Sequence, residues 1–249
     1  MRDWIGKRYW LVGASEGLGR ALAKQLSRAG AEVVISGRNE ERLQDLVAEL
    51  PCRASYVPVD VADNASVAAA AQEVGQIDGF VFLAGVYWPQ TAREWNAEQV
   101  EAMLDINLTG AARCLGHVVP AFVARNRGHI VLVGSLSGFR GLPGAVGYAA
   151  SKAGLMSLAE GMYLDLRATG VRVQCVNPGF IKTRLTDRNA FPMPFIMTPG
   201  EAAARVFEHM TTDNFQRSFP WLFSLLFRGS VFIPMWLYRC LFADRTIRT

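Results

Sequence analysis

Tyr9-Trp10-Leu11-Val12-Gly13-Ala14-Ser15-Glu16-Gly17-Leu18-Gly19-Arg20-Ala21-Leu22-Ala23 decides the fold. An apolar, strand-forming run stops at Gly13, and a helix-forming run opens directly behind the glycines. Glycine permits a tight turn and a close backbone approach. The helix start offers unpaired N–H groups and the positive end of a dipole, so strand, glycines and helix in this order form a cradle for a pyrophosphate. A glycine-rich turn alone is as often only a structural turn; here the flanking elements supply the context.

Outward from this unit, short β-branched or apolar runs alternate with longer stretches of helical period. Strands are expected near Arg8–Val12, Glu32–Ser36, Ser55–Val59, Gly79–Leu83, His129–Gly134 and Val171–Val176, and helices near Gly17–Ala29, Glu40–Leu50, Asn64–Val74, Ala97–Arg125, Gly147–Thr169 and Gly200–Met210. Such alternation implies an α/β fold, a doubly wound parallel sheet whose right-handed crossovers bring the strand carboxyl ends to one ligand-binding edge. No internal repeat or low-complexity linker interrupts it, and 249 residues that are 51% hydrophobic suffice for one domain.

Composition excludes several classes. The first eight residues lack the apolar core of a secretory signal. Cys52, Cys114, Cys175 and Cys240 form no C-x-x-C pair and, like the three scattered histidines, give no metal signature; they fit reduced cytoplasmic thiols. The formal net charge of +4 comes without a Lys/Arg cluster interleaved with aromatics, so no nucleic-acid surface is expected.

Tyr148-Ala149-Ala150-Ser151-Lys152 places a phenol and an ammonium at i and i+4, on one helical face. A free tyrosine titrates near pH ~10, so an adjacent cation favouring the phenolate suits it to acid/base work. An isolated Y-x-x-x-K is more often an ordinary exposed pair, and its surroundings carry the weight. Ile130-Val131-Leu132-Val133-Gly134-Ser135-Leu136-Ser137-Gly138 ends a strand in hydroxyls, with Ser135 thirteen residues before Tyr148 and Ser137 as the competing choice. Asn107 sits within a long helix, where asparagine has poor propensity, and suggests a local break.

Together with the spacing G-x-x-x-G-x-G at Gly13, Gly17 and Gly19, these motifs resemble the short-chain dehydrogenase/reductase family, in family order from Gly13 to Thr183. The resemblance implies a Rossmann-type single domain and an NAD(P)-dependent oxidoreductase that moves a hydride between nicotinamide and a carbonyl or secondary alcohol. Its catalytic residues would be Ser135, Tyr148, Lys152 and Asn107, the last anchoring a water beside the lysine. Cofactor contacts carry over to Gly13, Ser15, Glu16, Gly17, Leu18 and Gly19 in the cradle. Asp60 and Val61 would meet the adenine, Asp60 having helix capping as its alternative role. Ala84 and Gly85 follow on the fourth strand, with Tyr148 and Lys152 at the nicotinamide ribose and Pro178, Gly179, Ile181 and Thr183 at the nicotinamide. Val12 and Leu83 stand where the family usually has Thr and Asn, which removes side-chain ties but no chemistry.

Where an NAD-preferring member carries an acidic residue, this chain has Gly37 followed by Arg38, which could clamp a 2′-phosphate; NADP(H) is therefore expected over NAD(H). The resemblance also implies a homodimer or homotetramer through the Ala97–Arg125 and Gly147–Thr169 helices. A protein that binds NADP but regulates a partner is the alternative, and the presence of Ser135, Tyr148 and Lys152 favours the enzyme.

A core of residues 1–213 is expected to include a variable substrate lid at 184–198, rich in Phe, Met and Pro, and to continue into an apolar extension at 214–249. Pro220, Arg228, Gly229 and Pro234 argue against a spanning helix within 219–242. An interfacial segment that touches a membrane peripherally, a cover over the active site, packing on the core and a subunit contact all remain open.

Overall fold

The computed structural model describes residues 3–189 and 191–242; residues 1–2, Ala190 and 243–249, which fall in the expected core, lid and extension, lie outside the described residues. Seven parallel strands form one sheet in the order β3-β2-β1-β4-β5-β6-β7. They are β1 (Arg8–Val12), β2 (Glu32–Ser36), β3 (Ala54–Tyr56), β4 (Gly79–Phe82), β5 (Gly128–Val133), β6 (Val171–Pro178) and β7 (Gln216–Phe219). The strand order reverses between β1 and β4, and a crevice opens there at the carboxyl ends, as expected for doubly wound sheets.

Alternating side chains feed two cores. Trp10, Val12, Phe80 and Phe82 pack on one face with α3 (Asn64–Val74), α5 (Gly110–Ala124) and α6 (Val146–Leu166). Tyr9, Leu11, Val33 and Ile35 pack on the other with α1 (Gly17–Arg28), α2 (Glu40–Glu49) and α7 (Pro199–Met210). β5 is buried throughout, which explains its apolar run Ile130–Val133.

The structure departs from the expected elements in four places. The helix expected over Ala97–Arg125 divides into α4 (Ala97–Leu104) and α5 around a π-helical turn, Asp105–Thr109. β3 ends at Tyr56 instead of reaching Val59: Val57 and Val59 still donate to Ile35 and Gly37, but Pro58 between them has no N–H. β7 was not expected, being four residues long with three of them polar. Gly179 donates to Phe219 at 2.7 Å, so this strand supports the turn behind β6. Beyond it the apolar extension folds as α8 (Trp221–Ser230) and α9 (Met235–Phe242).

Among the described residues no helix is long and apolar enough to cross a membrane, and no group of three His, Cys, Asp or Glu side chains is placed to hold a metal.

Candidate active site

The first glycine turn is built by contact. Gly13 has φ +89°, and a Cβ there would lie 2.4 Å from the backbone nitrogen of Ala84, so only glycine fits against the end of β4. Val12 and Leu83, the two departures from the family pattern, are joined by backbone instead: Leu83 N–H donates to Val12 O at 2.8 Å, and Gly13 N–H to Ser36 O at 2.8 Å.

The helix behind this turn has an open N-terminus. α2, α3, α4 and α7 are capped by the side chains of Asn39, Asp63, Asn96 and Thr198, but Glu16 at the cap of α1 makes no such bond. Glu16 pairs instead with Arg42 at 2.6 Å and Arg184 at 3.1 Å. The first-turn N–H groups thus face the cleft with their positive dipole end free for an anion.

A cleft of about 310 Å³ runs from this helix start to the ends of β5 and β6. Every residue expected to hold the cofactor lines it, and so do Ser135, Tyr148 and Lys152; of the expected site residues Asn107 alone does not. Arg38 lines it with no ion-pair partner among the described residues, whereas Glu16 is matched by two arginines. Asp60 lines the cleft and is not the cap of α3, which is Asp63; one of its carboxylate oxygens accepts from Ala62 N–H at 3.0 Å.

Tyr148 stands on the first turn of α6, half-buried, and lines the cleft together with Ser135. Burial pushes the phenol up to about 12, partly offset by the nearby Ser135 hydroxyl, so it is protonated at neutral pH. Ser135 Oγ also accepts from Ser137 Oγ at 2.8 Å and from Ser137 N–H at 3.2 Å. The two candidate serines are thus coupled, and of the two only Ser135 lines the cleft together with Tyr148. Lys152 donates to Val133 O at 2.8 Å, and burial brings its ammonium down to about 8.

Asn107 lies in the π-turn. Its carboxamide accepts from Val86 N–H at 2.7 Å and donates to Val86 O at 3.0 Å and Ser151 Oγ at 3.0 Å. It thereby ties the loop after β4 to the start of α6, next to Gly85, whose added Cβ would lie 3.3 Å from Asn107 Oδ1 and 3.7 Å from Lys152 Nζ.

A second cavity, about 610 Å³, shares Ser135, Tyr148 and Gly179 with the cleft. Its wall is aromatic. Tyr87 packs edge-on to Tyr148 at 5.0 Å, while Phe180 meets Phe191 at 5.9 Å and Phe223 at 6.0 Å; Phe223 meets Phe227 at 5.0 Å. Phe223 and Phe227 belong to α8, so the extension covers the site with its inner face. Arg140, from the loop behind Ser135, bolts this cover down: it donates to Ser230 O and to Ile233 O at 2.8 Å and stacks on Tyr238 at 3.8 Å, while Tyr238 Oη donates to Gly141 O at 2.9 Å. Sequence reasoning found the apolar lid and tail but not these individual contacts, because α8 reaches the site from more than 70 residues beyond Tyr148 in the chain.

Residues 7–191 match the family described as short chain dehydrogenase. The chain belongs to that family. An uncharacterized oxidoreductase of Myxococcus xanthus is 41% identical over 231 residues, covering 90% of this chain and 91% of the relative. A 3-oxoacyl-acyl-carrier-protein reductase of Rickettsia conorii is 31% identical over 188 residues, covering 76% of this chain and 78% of the relative. Among solved structures, a short chain dehydrogenase/reductase family protein superposes with a TM-score of 0.80 at 27% identity, covering 87% of this chain and 97% of the other. This short-chain dehydrogenase is an NAD(P)-dependent oxidoreductase, and the crevice at the strand-order reversal is where the family's fold puts its dinucleotide.

Proposed function

We propose that the protein reduces a lipophilic carbonyl compound, or oxidises the corresponding alcohol, with NADP(H). One observation carries the reading: Ser135 and Tyr148 stand where the phosphate-binding cleft opens into an aromatic-walled cavity of about 610 Å³.

The residues fit the nucleotide. The open start of α1 suits a pyrophosphate, Gly37 leaves no carboxylate against a 2′-phosphate, and Arg38 offers it a planar, permanently charged fork. Thr186 Oγ1 accepts from Thr183 N–H at 3.0 Å and donates to Ile181 O at 2.7 Å, fixing the turn assigned to the nicotinamide carboxamide. The bound cofactor supplies or accepts the hydride.

The chain's own groups do the rest. Ser135 holds the substrate oxygen as negative charge grows on it, and Tyr148, protonated before reaction, donates to that oxygen. Lys152, as an ammonium, supports the tyrosine after it has lost its proton. Asn107 acts through Ser151 and Val86, keeping α6 and the loop after β4 in register. In oxidation the proton returns along the same path.

The outer face of the extension supports contact with a membrane surface. Phe232 is 88% exposed, Trp236 69%, Trp221 68% and Leu222 65%, and no acidic residue lies between Trp221 and Phe242 to offset Arg228 and Arg239. Aromatic side chains beside arginines suit the headgroup region of an anionic bilayer, and the inner face of the same helix lines the substrate cavity. The exposed Val123, Tyr163 and Leu164 on α5 and α6 favour a homo-oligomer through those helices.

Loss of nicotinamide absorbance with NADPH and with NADH, across ketones of increasing chain length, tests the reading against Tyr148→Phe. Tyr148-dependent turnover that is faster with NADPH and with longer ketones supports it, and turnover unaffected by Tyr148→Phe overturns it.

A further inference from the structure

Three buried side-chain polar atoms have no hydrogen-bond partner among the described residues: Trp4 Nε1, Gln90 Nε2 and Asn189 Oδ1. Two of these three residues, Gln90 and Asn189, line the same space, the aromatic-walled cavity beside Tyr148. Native interiors rarely keep an orphaned donor or acceptor, so a pair of them at one cavity points to a missing hydrogen-bonding partner.

Gln90 is held rigidly. Its residue is only 6% exposed, its N–H donates to Gly144 O at 3.0 Å, and its Oε1 accepts from Asn96 N–H at 2.9 Å. That last bond settles which end of the carboxamide is which: exchanging oxygen and nitrogen would strip Asn96 N–H of its acceptor. Gln90 therefore offers a donor that nothing among the described residues accepts. Asn189, on the lid segment, directs Nδ2 towards Met193 Sδ at 3.3 Å and leaves Oδ1 open.

We propose that Gln90 and Asn189 form a polar subsite in the substrate cavity, where Gln90 donates to an acceptor and Asn189 accepts from a donor on one neutral group of the substrate. The two charged residues that line the cavity, Glu94 and Arg188, are exposed, and Arg188 is engaged with Tyr87 O at 3.0 Å and the Trp88 ring at 5.1 Å, which favours a neutral group. The substrate class is then a carbonyl compound with an apolar body against Phe180, Phe223 and Phe227 and an amide or hydroxyl set apart from the reacting carbon. This deepens the oxidoreductase reading and rests on it for the position of the reacting carbonyl.

Four ketones of equal chain length test it with the full-length protein, their far ends being an alkyl group, a methyl ester, an N-methyl amide or a primary hydroxyl. The ester can only accept, the amide and hydroxyl can do both. A kcat/KM about tenfold higher for the ester than for the alkyl ketone is expected, the size of effect a buried donor gives on gaining a partner, with the amide or hydroxyl higher again. Whichever of those two is faster identifies the group. Gln90→Met, of similar shape without the donor, should erase the ester's advantage, and Asn189→Leu the further gain. Because each comparison is a ratio within one variant, a loss of stability common to all four ketones does not disturb it.

Four ketones turned over within twofold of one another overturn the subsite and leave the oxidoreductase reading standing, an ordered water then being the partner of Gln90. If none is turned over, calorimetric binding of the same compounds decides: tighter binding of the ester and amide than of the alkyl ketone keeps the subsite while the reaction reading fails, and equal binding or none removes the subsite as well.

Discussion

The ammonium of Lys152 lies 5.8 Å from the centre of the Tyr148 ring and spends its hydrogen bond on Val133 O, so the lysine adjoins the tyrosine without bonding to its hydroxyl. Burial shapes both groups: it raises the phenol to about 12 and lowers the ammonium to about 8. The resting site therefore holds a protonated acid beside a cation that is itself easily discharged.

Carbonyl reduction needs Tyr148 protonated and Lys152 charged. Since Tyr148 keeps its proton across the accessible range, the alkaline limb belongs to Lys152, and kcat/KM for reduction should fall as pH rises through about 8. Steady-state rates at saturating NADPH from pH 6 to 10 test this. Tyr148→Phe should lower kcat by about 10²–10⁴ at every pH, the usual contribution of a positioned general acid.

Arg38→Ala should cost about tenfold or more in kcat/KM for NADPH and leave NADH nearly unchanged, because only the former carries the 2′-phosphate that a charge-assisted pair would hold. Gly37→Asp in the same chain should shift preference towards NADH. An equal loss for both cofactors would show that Arg38 serves the fold instead.

Phe223→Ala and Phe227→Ala each remove aromatic surface from the cavity wall, a loss of about 1.5–3 kcal/mol when a Phe side chain is fully buried. KM for long apolar ketones should rise about tenfold, with NADPH affinity unchanged, because neither residue lines the nucleotide cleft.

Arg140→Ala strips the donors from Ser230 O and Ile233 O and the cation from the Tyr238 face. A cost of about 1–3 kcal/mol is expected from the carbonyls alone. Limited proteolysis should then cut within residues 220–242 well before the sheet unfolds, and KM for long ketones should rise.

Vesicle flotation tests the extension. The full chain should rise with anionic vesicles and stay down with zwitterionic ones. Arg228→Ala combined with Arg239→Ala should weaken capture about thirtyfold, at about 1 kcal/mol for each cation near the surface. Capture that is insensitive to both substitutions would remove the electrostatic part of the argument.

The parallel sheet was legible in the sequence because its inner strands are bounded apolar runs and its helices have a clear period. Asn107 was legible as an interruption, since a poor helix former stands amid good ones, and the π-turn is the form the interruption takes. The helix expected from Gly200 begins at Pro199, where Thr198 and Glu201 form a capping box. β7 was hidden: Gln216–Phe219 is three polar residues before one phenylalanine, with no alternation to register, and it becomes a strand only because β6 presents an unpaired edge to it.

By itself the sequence determined the order of elements, the glycine cradle and the company of Ser135, Tyr148 and Lys152, because turns, helical faces and strand ends are local properties of neighbouring residues. Tertiary structure alone decided that Glu16 is neutralised by Arg42 and Arg184, that Arg140 clamps α8 over the cavity, and that Gln90 is left with a donor to give. Those outcomes depend on side chains brought together by packing across long stretches of chain, and no periodicity along the sequence records which distant groups will meet.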